Sequence, residues 1–218
     1  MILKNTQLGL DNVADLLERL GQIPPARILL NPPPGTATEE DVIAAEAALE
    51  KRICELVDGV LVEKAMGYLE SLLAVHLILE IGSFVRSHNL GIVLGADGML
   101  RLWPGRVRIP DVAFISWNRF PNRQLPLVAI LGIAPDLAVE VLSPSNTKKE
   151  MEIKRDDYFR SGTREVWEVD PQTRTVKVYN SLTDSRDFSA TDTLTGCVPL
   201  PGFELPLAEL FACLPPQQ

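Results

Sequence analysis

The sequence contains only two histidines and three cysteines among its 218 residues. His76 and His88 have no cysteine or third histidine close to them in the sequence, so neither is expected to bind a metal. Cys54, Cys197 and Cys213 are odd in number and far apart, so they predict neither a disulfide framework nor a zinc site, and they fit a reducing cytoplasm. The shortage of histidine also disfavours a serine or cysteine triad.

Other familiar signatures are missing too. The chain has no glycine-rich phosphate loop, no Gly-x-Ser-x-Gly elbow and no N-terminal export pattern. Its longest apolar stretch, residues 69–85, is interrupted by Glu70, His76 and Glu80, and no uninterrupted run approaches the roughly 18 to 20 residues of a membrane span. We therefore expect a cytoplasmic protein that does not cross a membrane.

Positive charge is also scarce, because 29 acidic residues outweigh 21 basic ones and leave a net charge of -8. This balance argues against coating nucleic acid by bulk electrostatics. The positive charge is unevenly distributed along the chain, because residues 101–123 carry five arginines and a single acid, Asp111. This local band favours contact with an anion near Asp111, although an arginine-rich edge that is simply solvated explains it equally well.

The length and patterning predict one α/β domain, a mixed sheet flanked by helices, with an N-terminal extension. Residues 1–52 hold two short helices, the second running from Thr38 to about Lys51, and a proline-rich connector, and we expect this extension to pack on the core. Residues 53–218 form the core: a hairpin turning at Asp58-Gly59, a long helix over 68–88, short buried strands, a helix ending before Gly162, and a hairpin over 165–179.

Two of the predicted strands each carry one acid among residues that are otherwise apolar. Asp111 lies in residues 109–115 and Glu140 in residues 135–142. Burying an unpaired carboxylate is costly, so each acid needs a cation, a hydrogen-bond donor or a metal ion. Two such strands side by side would direct both acids to one point. They are therefore candidate ligands for a divalent metal, while the alternative is that each pairs with a nearby arginine.

Mg²⁺ suits such a pair, because it prefers oxygen ligands and binds one or two carboxylates together with water and substrate phosphate oxygens. Mn²⁺ could substitute for it. Lys154, on the helix after the Glu140 strand, could orient a water molecule or stabilise negative charge in the transition state. Glu70 lies in the first turn of the long helix, where the helix dipole favours an anion, so a structural role is its simplest interpretation.

Taken together, these residues resemble the Uma-type family of putative restriction endonucleases, a bacterial family in the PD-(D/E)XK nuclease superfamily. The resemblance covers roughly residues 54–211. The matching segments are residues 108–114 around Asp111, residues 134–145 around Glu140, Lys154 with Tyr158 and Gly162, residues 166–171, and residues 200–203.

The resemblance implies a restriction-endonuclease-like core in which Asp111 and Glu140 bind Mg²⁺. The superfamily expects a lysine two residues after the second acid, but Leu142 occupies that position here. The lysine function would then move to Lys154 on the following helix. The superfamily also often uses a glutamate from the first core helix, for which Glu70 is the best match and Glu63 the second.

Two functions from different classes remain open at this point. The first is a Mg²⁺-dependent endonuclease that hydrolyses DNA phosphodiester bonds with Asp111, Glu140, Lys154 and Glu70. The second is a non-catalytic module that keeps the fold and binds nucleic acid or protein. A sugar- or nucleotide-directed hydrolase has only the acids in its favour. A homodimer is also possible, and we expect residues 175–179 to form the edge strand through which it would pair.

Overall fold

The computed structural model describes residues 12–216, so the N-terminal positions that bear on export lie outside it. The helices are α1 (Val13–Arg19), α2 (Glu39–Ala47), α3 (Tyr68–Ser87), α4 (Lys148–Arg160) and α5 (Leu207–Phe211), with 3-10 helices at Pro25–Arg27, Trp117–Arg119 and Pro121–Arg123. The strands are β1 (Cys54–Val57), β2 (Val60–Glu63), β3 (Gly91–Leu94), β4 (Leu100–Trp103), β5 (Arg106–Arg108), β6 (Val112–Ser116), β7 (Leu137–Val141), β8 (Glu165–Asp170), β9 (Thr175–Tyr179), β10 (Ser185–Ser189), β11 (Thr193–Leu194) and β12 (Leu205–Pro206).

A six-stranded sheet in the order β10-β9-β8-β7-β6-β3 forms the centre of the molecule. Only β7 and β8 are parallel within it, and α4 connects them as a parallel pair requires. The apolar residues of α3, α5 and the sheet form one large buried cluster. Tyr158 of α4 packs with Ala138 and Val166 in a separate cluster. This mixed sheet with flanking helices confirms the predicted α/β fold.

Helix α3 is longer and more apolar than most surface helices. Its buried positions, which include Leu73, Leu77 and Ile81, follow the helical repeat and face the sheet. By length and composition alone the helix could cross a membrane, contrary to the expectation from its interrupted apolar stretch. A core helix of a globular domain passes the same test, and the buried face of α3 packs as such a helix does.

A second sheet in the order β2-β1-β5-β4 carries the N-terminal segment. Leu16, Leu20 and Ile23 pack on Val57, Val60 and Val62, so the first described helix covers the hairpin. The same segment reaches α4, because the Arg27 guanidinium makes two hydrogen bonds to the Glu150 carboxylate, at 2.7 and 3.0 Å. The extension thereby helps to hold the helix that carries Lys154.

Local sequence signals explain several element boundaries. Asn12 caps α1 by accepting hydrogen bonds from the backbone N–H groups of Ala14 and Asp15. Thr147 caps α4, and Glu150 completes a capping box with it. Asp58 and Gly59 both have positive φ, as the tight hairpin between β1 and β2 requires.

Two sequence expectations fail at this level. The second helix, expected to extend to Lys51, ends at Ala47, after which Ala48 is extended. The strand at Thr175–Tyr179 is not an edge, because Ser185–Ser189 pairs along its whole length. Strand β10 is short and polar, and only alternate residues in it are partly buried, so its sequence gives little strand signal. The edges of this sheet are β10 and β3.

Gly21 offers a test of how closely the N-terminal segment contacts α4. Its φ is +81°, and an added Cβ would lie 2.6 Å from the backbone nitrogen of Glu150. Gly105 has a similar φ of +83° but open space around it. We expect Gly105→Ala to cost only the left-handed backbone strain, about 1 to 2 kcal/mol, and Gly21→Ala to cost clearly more. Urea unfolding of both variants would show this difference, and equal losses would contradict the close contact.

Candidate active site

Asp111 and Glu140 lie at the ends of neighbouring strands. Asp111 directly precedes β6, and β6 pairs with β7 so that Val112 lies opposite Val139. The Asp111 carboxylate accepts a hydrogen bond from the backbone N–H of Val141 at 2.7 Å, one residue beyond Glu140. Both side chains are buried. The structure therefore places the two predicted acids side by side.

Lys154 reaches this point from α4. Its Nζ lies 3.0 Å from Glu140 Oε2 and 3.3 Å from Glu55 Oε1, and the side chain is buried. The buried residues of α4 lie at helical spacing and include Glu150, Lys154 and Tyr158, so a face rich in polar groups meets the sheet. Lys154 thus contacts the second acid directly, although it is not on the strand of that acid.

Tyr158, one turn after Lys154, completes the surroundings of Glu140. Its hydroxyl donates a hydrogen bond to Glu140 Oε1 at 2.6 Å, so both carboxylate oxygens of Glu140 are bound. Burial, followed by the charge of Glu140, raises the pKa of Tyr158 well above its ordinary value. The phenol is therefore neutral at physiological pH and acts as a donor. The i, i+4 spacing of Lys154 and Tyr158 is the sequence signal that points to this role.

Lys64 is a site residue that the sequence analysis did not identify. Its Nζ lies 2.8 Å from Asp111 Oδ1 and donates a hydrogen bond to the Ala96 carbonyl at 3.1 Å. Lys64 directly follows β2 and is buried. Each candidate metal ligand therefore has a lysine ammonium as its cation, whereas the alternative reading of the sequence expected arginines.

Glu55 and Arg108 are buried beside Lys154, and the sequence analysis did not identify them as site residues. Arg108 donates to Glu55 Oε2 at 2.7 Å and to Asp157 Oδ2 at 2.8 Å through a second nitrogen. Glu55 also accepts a hydrogen bond from the backbone N–H of Ile109, two residues before Asp111. Carboxylates and cations thus alternate through the buried network, with Lys154 and Arg108 both bound to Glu55.

The pKa values follow from this alternation. Burial raises the pKa of Glu140 above its ordinary value, with Lys154 opposing this shift and Asp111 adding to it. Burial also acts to raise the pKa of Glu55, but Lys154 and Arg108 outweigh it and lower that pKa to about 2. Burial lowers the pKa of Lys154, yet Glu140 and Glu55 raise it overall. Lys154 is therefore a cation at neutral pH and is unsuited to act as a general base.

The other two candidate glutamates lie outside these contacts. The Glu70 carboxylate folds back against Gly67 at the start of α3, as expected of a residue that stabilises a helix start. The Glu63 carboxylate pairs at 3.7 Å with Arg52, and both are partly exposed. Successive residues of a strand point to opposite faces. Lys64 therefore points inward while Glu63 points outward.

The arginine-rich band of residues 101–123 is largely neutralised within the protein. Its ion pairs include Arg101–Glu39, Arg106–Asp58, Arg108–Glu55, Arg108–Asp157 and Arg119–Asp136. A solvated edge is therefore the wrong interpretation for Arg106 and Arg108, which are buried. Their acidic partners come from distant parts of the chain, which is why the local charge count did not reveal them.

The donor set restricts which metal the site fits. Among residues 12–216 there is no cluster of three or more His, Cys, Asp or Glu side chains arranged to hold a metal ion. The pair Asp111 and Glu140 offers only carboxylate oxygens. Such a pair suits Mg²⁺ or Mn²⁺, which keep water and substrate oxygens as further ligands. It does not suit a structural zinc site.

A cavity of about 520 Å³ lies beside this network. Glu168, the β8 neighbour of Glu140, contributes to its wall. Its charged lining residues are Lys148, Glu152, Arg155, Glu168, Asp170 and Lys177. Leu142, the residue that stands where the superfamily expects a lysine, also lines the cavity, which therefore borders the strand end that carries Glu140.

Comparison with known proteins gives a family for this chain. Residues 40–208 match the family model Uma2, described as "Putative restriction endonuclease". The chain belongs to this family. The match covers more than half of the chain, as well as both candidate acids, Lys64 and Lys154. It begins within α2, whereas the predicted boundary of the core at residue 53 stays a prediction.

One solved structure similar to this Uma2 chain is a crystal structure of a "putative nuclease belonging to DUF820" from Anabaena variabilis ATCC 29413. It has a TM-score of 0.65 and 22% sequence identity, and the alignment covers 74% of this chain and 90% of that chain. At this identity the likeness establishes the shared fold, which is restriction-endonuclease-like as expected. The comparison with curated proteins gave no match.

Proposed function

We propose that this Uma2 protein is a Mg²⁺-dependent endonuclease that hydrolyses DNA phosphodiester bonds. The observation that carries the proposal is the convergence of two buried carboxylates, Asp111 and Glu140, with the Lys154 ammonium at 3.0 Å from Glu140. The family match supports a nuclease, and the oxygen-only donor pair supports Mg²⁺ or Mn²⁺. Cytoplasmic location remains a prediction.

Asp111 and Glu140 would hold the metal ion, which when bound supplies positive charge that polarises a phosphodiester. Val141 N–H and the Tyr158 hydroxyl keep the two carboxylates oriented. Such preorganisation matters because small displacements of a reacting group slow catalysis strongly. The chain therefore contributes a rigid pair of ligands rather than a flexible one.

Lys154 would stabilise negative charge on the phosphate in the transition state. Its pKa is raised by Glu140 and Glu55, so it carries a proton that it can share in a hydrogen bond with a phosphate oxygen. Its burial strengthens such an interaction, because the local dielectric is low. This function corresponds to that of the lysine expected at position 142.

A non-catalytic binding module is the second candidate, and one observation favours it. Lys64 already neutralises Asp111, and Lys154 already neutralises Glu140, so the acids have cations without a metal ion. A divalent cation would compete with the Lys64 ammonium for Asp111. In the module, the network would only stabilise the fold.

Two assays distinguish these candidates. One is incubation of the protein with supercoiled plasmid DNA, and the other is titration with Mn²⁺ followed by electron paramagnetic resonance. The nuclease predicts nicking or linearisation with Mg²⁺ or Mn²⁺, none with EDTA, and bound Mn²⁺ in the absence of DNA. A protein that binds no Mn²⁺ and leaves the plasmid intact is the non-catalytic module. Cleavage that persists in EDTA would contradict a role for the metal.

A further inference from the structure

The outward face of α3 is unusual for a helix on the surface of a globular domain. Tyr68, Val75 and Leu79 are 76%, 50% and 61% exposed, and Leu72 lies between them, partly covered. These residues repeat at helical spacing directly opposite the buried face. A surface helix normally presents polar residues there. A contiguous apolar stripe of this kind marks an interaction surface.

We propose that this stripe is the interface of a homodimer in which α3 packs antiparallel against α3 of a second copy. A two-fold axis at the level of Leu77 places Val75 opposite Leu79 of the second copy. The same axis places Leu72 opposite Gly82 and Tyr68 opposite Arg86. Every member of the stripe is thereby matched, as a two-fold interface requires of a single surface.

The sizes of the matched residues are complementary. A Cβ added at Gly82 would meet nothing within 4 Å, so the surface is open where Leu72 of the second copy would arrive. A cavity of about 250 Å³ lies beside the same end of the helix, lined by Gly82, Arg86, Asn89 and Trp117 among others. It can receive the exposed Tyr68 ring of the second copy, because an aromatic anchor in a pocket is the usual centre of binding energy.

The charges at the contact do not oppose this pairing. Arg86 is the sole charged residue among the matched positions, so two copies bring no acid against an acid there. The Arg86 guanidinium would face the Tyr68 ring of the second copy, and a cation over an aromatic ring is attracted to it. The antiparallel orientation also sets the positive end of each helix dipole beside the negative end of the other.

This surface replaces the one expected from the sequence. The strand at Thr175–Tyr179 cannot pair with a second copy, because β10 covers it. The matched surface of α3 extends from Tyr68 to Arg86, roughly 27 Å along the helix at 1.5 Å per residue. The inference does not depend on the nuclease proposal, since it uses no residue of the candidate active site.

Sedimentation velocity of the full chain between about 1 and 100 µM tests the proposal, because a homodimer with a dissociation constant in or below this range is populated at its upper end. We expect a dimer for the native chain and at least about tenfold weaker association for Val75→Glu and for Leu79→Lys, since each places a charge against an apolar residue. An equal mixture of the two variants should associate again, because one Glu–Lys pair and one Leu–Val contact then form. Leu127→Lys changes a fully exposed leucine outside α3 and should leave the dimer intact.

A native chain that stays monomeric throughout this range would overturn the proposal. So would a dimer that both variants retain, or a variant mixture that fails to recover association. Co-sedimentation of a monomeric native chain with vesicles of phosphatidylcholine and phosphatidylglycerol would assign the stripe to a membrane surface instead. Circular dichroism of each variant confirms that the fold is intact, as expected for changes at exposed positions.

Discussion

Asp111→Asn should lower the rate of Mg²⁺-dependent DNA cleavage at least about 100-fold, because a metal ion contributes several kcal/mol to transition-state stabilisation and each 1.36 kcal/mol is tenfold in rate. The substitution removes one negative charge from the pair that would hold the cation. It keeps an oxygen that can accept the hydrogen bond from Val141 N–H. Glu140→Gln should have an effect of similar size, since it removes the other ligand.

The measurement pairs plasmid cleavage rates with Mn²⁺ affinity, since loss of both in the same variants ties the metal to the two acids. Asp187→Asn is the matched control. Asp187 lies on the same sheet, in β10, where it pairs with Lys177 and is largely exposed. It should leave rate and affinity unchanged. A folded Asp111→Asn protein that cleaves within about threefold of the native rate, less than 1 kcal/mol, would exclude Asp111 as a ligand.

Arg108→Met should destabilise the protein by about 3 to 5 kcal/mol, the usual consequence of removing one partner from a buried ion pair. Arg108 is the shared partner of Glu55 and Asp157, and all three are buried. Without the guanidinium, both carboxylates lose the cation nearest to them. Glu55 keeps only Lys154 and a backbone N–H.

Urea unfolding gives the free energy directly, and Arg101→Met serves as its control. Arg101 pairs with Glu39 at 3.2 Å, but both are partly exposed, so we expect a loss below about 1 kcal/mol. For Arg108→Lys we expect a loss of stability between those of Arg108→Met and Arg101→Met, because an ammonium does not reproduce the planar guanidinium that reaches two carboxylates. A loss below about 1 kcal/mol for Arg108→Met would show that the network relaxes or admits water.

The network also bears on the choice between nuclease and binding module. Its four buried carboxylates, Asp111, Glu140, Glu55 and Asp157, and their cations stabilise the fold whether or not the chain is an enzyme. What distinguishes an enzyme is that Asp111 and Glu140 bind a divalent cation in competition with Lys64. Metal affinity is therefore a more direct test of function than the structure of the acid pair.

The elements that depend on neighbouring residues could be predicted from the sequence. The Asp58-Gly59 hairpin, the long helix at Tyr68–Ser87 and the strand–helix–strand unit of β7, α4 and β8 follow from turn residues, capping residues and apolar spacing. The position of one acid in each of two short apolar segments, Asp111 just before β6 and Glu140 within β7, was also encoded locally. The end of α2 and the polar strand β10 were not, because their local signals are weak.

The sequence by itself determined the fold class, the family and the two strand-borne acids, because these depend on short-range patterns and on motifs read in order. Only the tertiary structure decided that Lys64 pairs with Asp111 and that Arg108 pairs with both Glu55 and Asp157. Arg108 and Glu55 are 53 residues apart, and Arg108 and Asp157 are 49 apart. Partners so distant in sequence are selected by the packing of two sheets and a helix, and no local pattern specifies that packing.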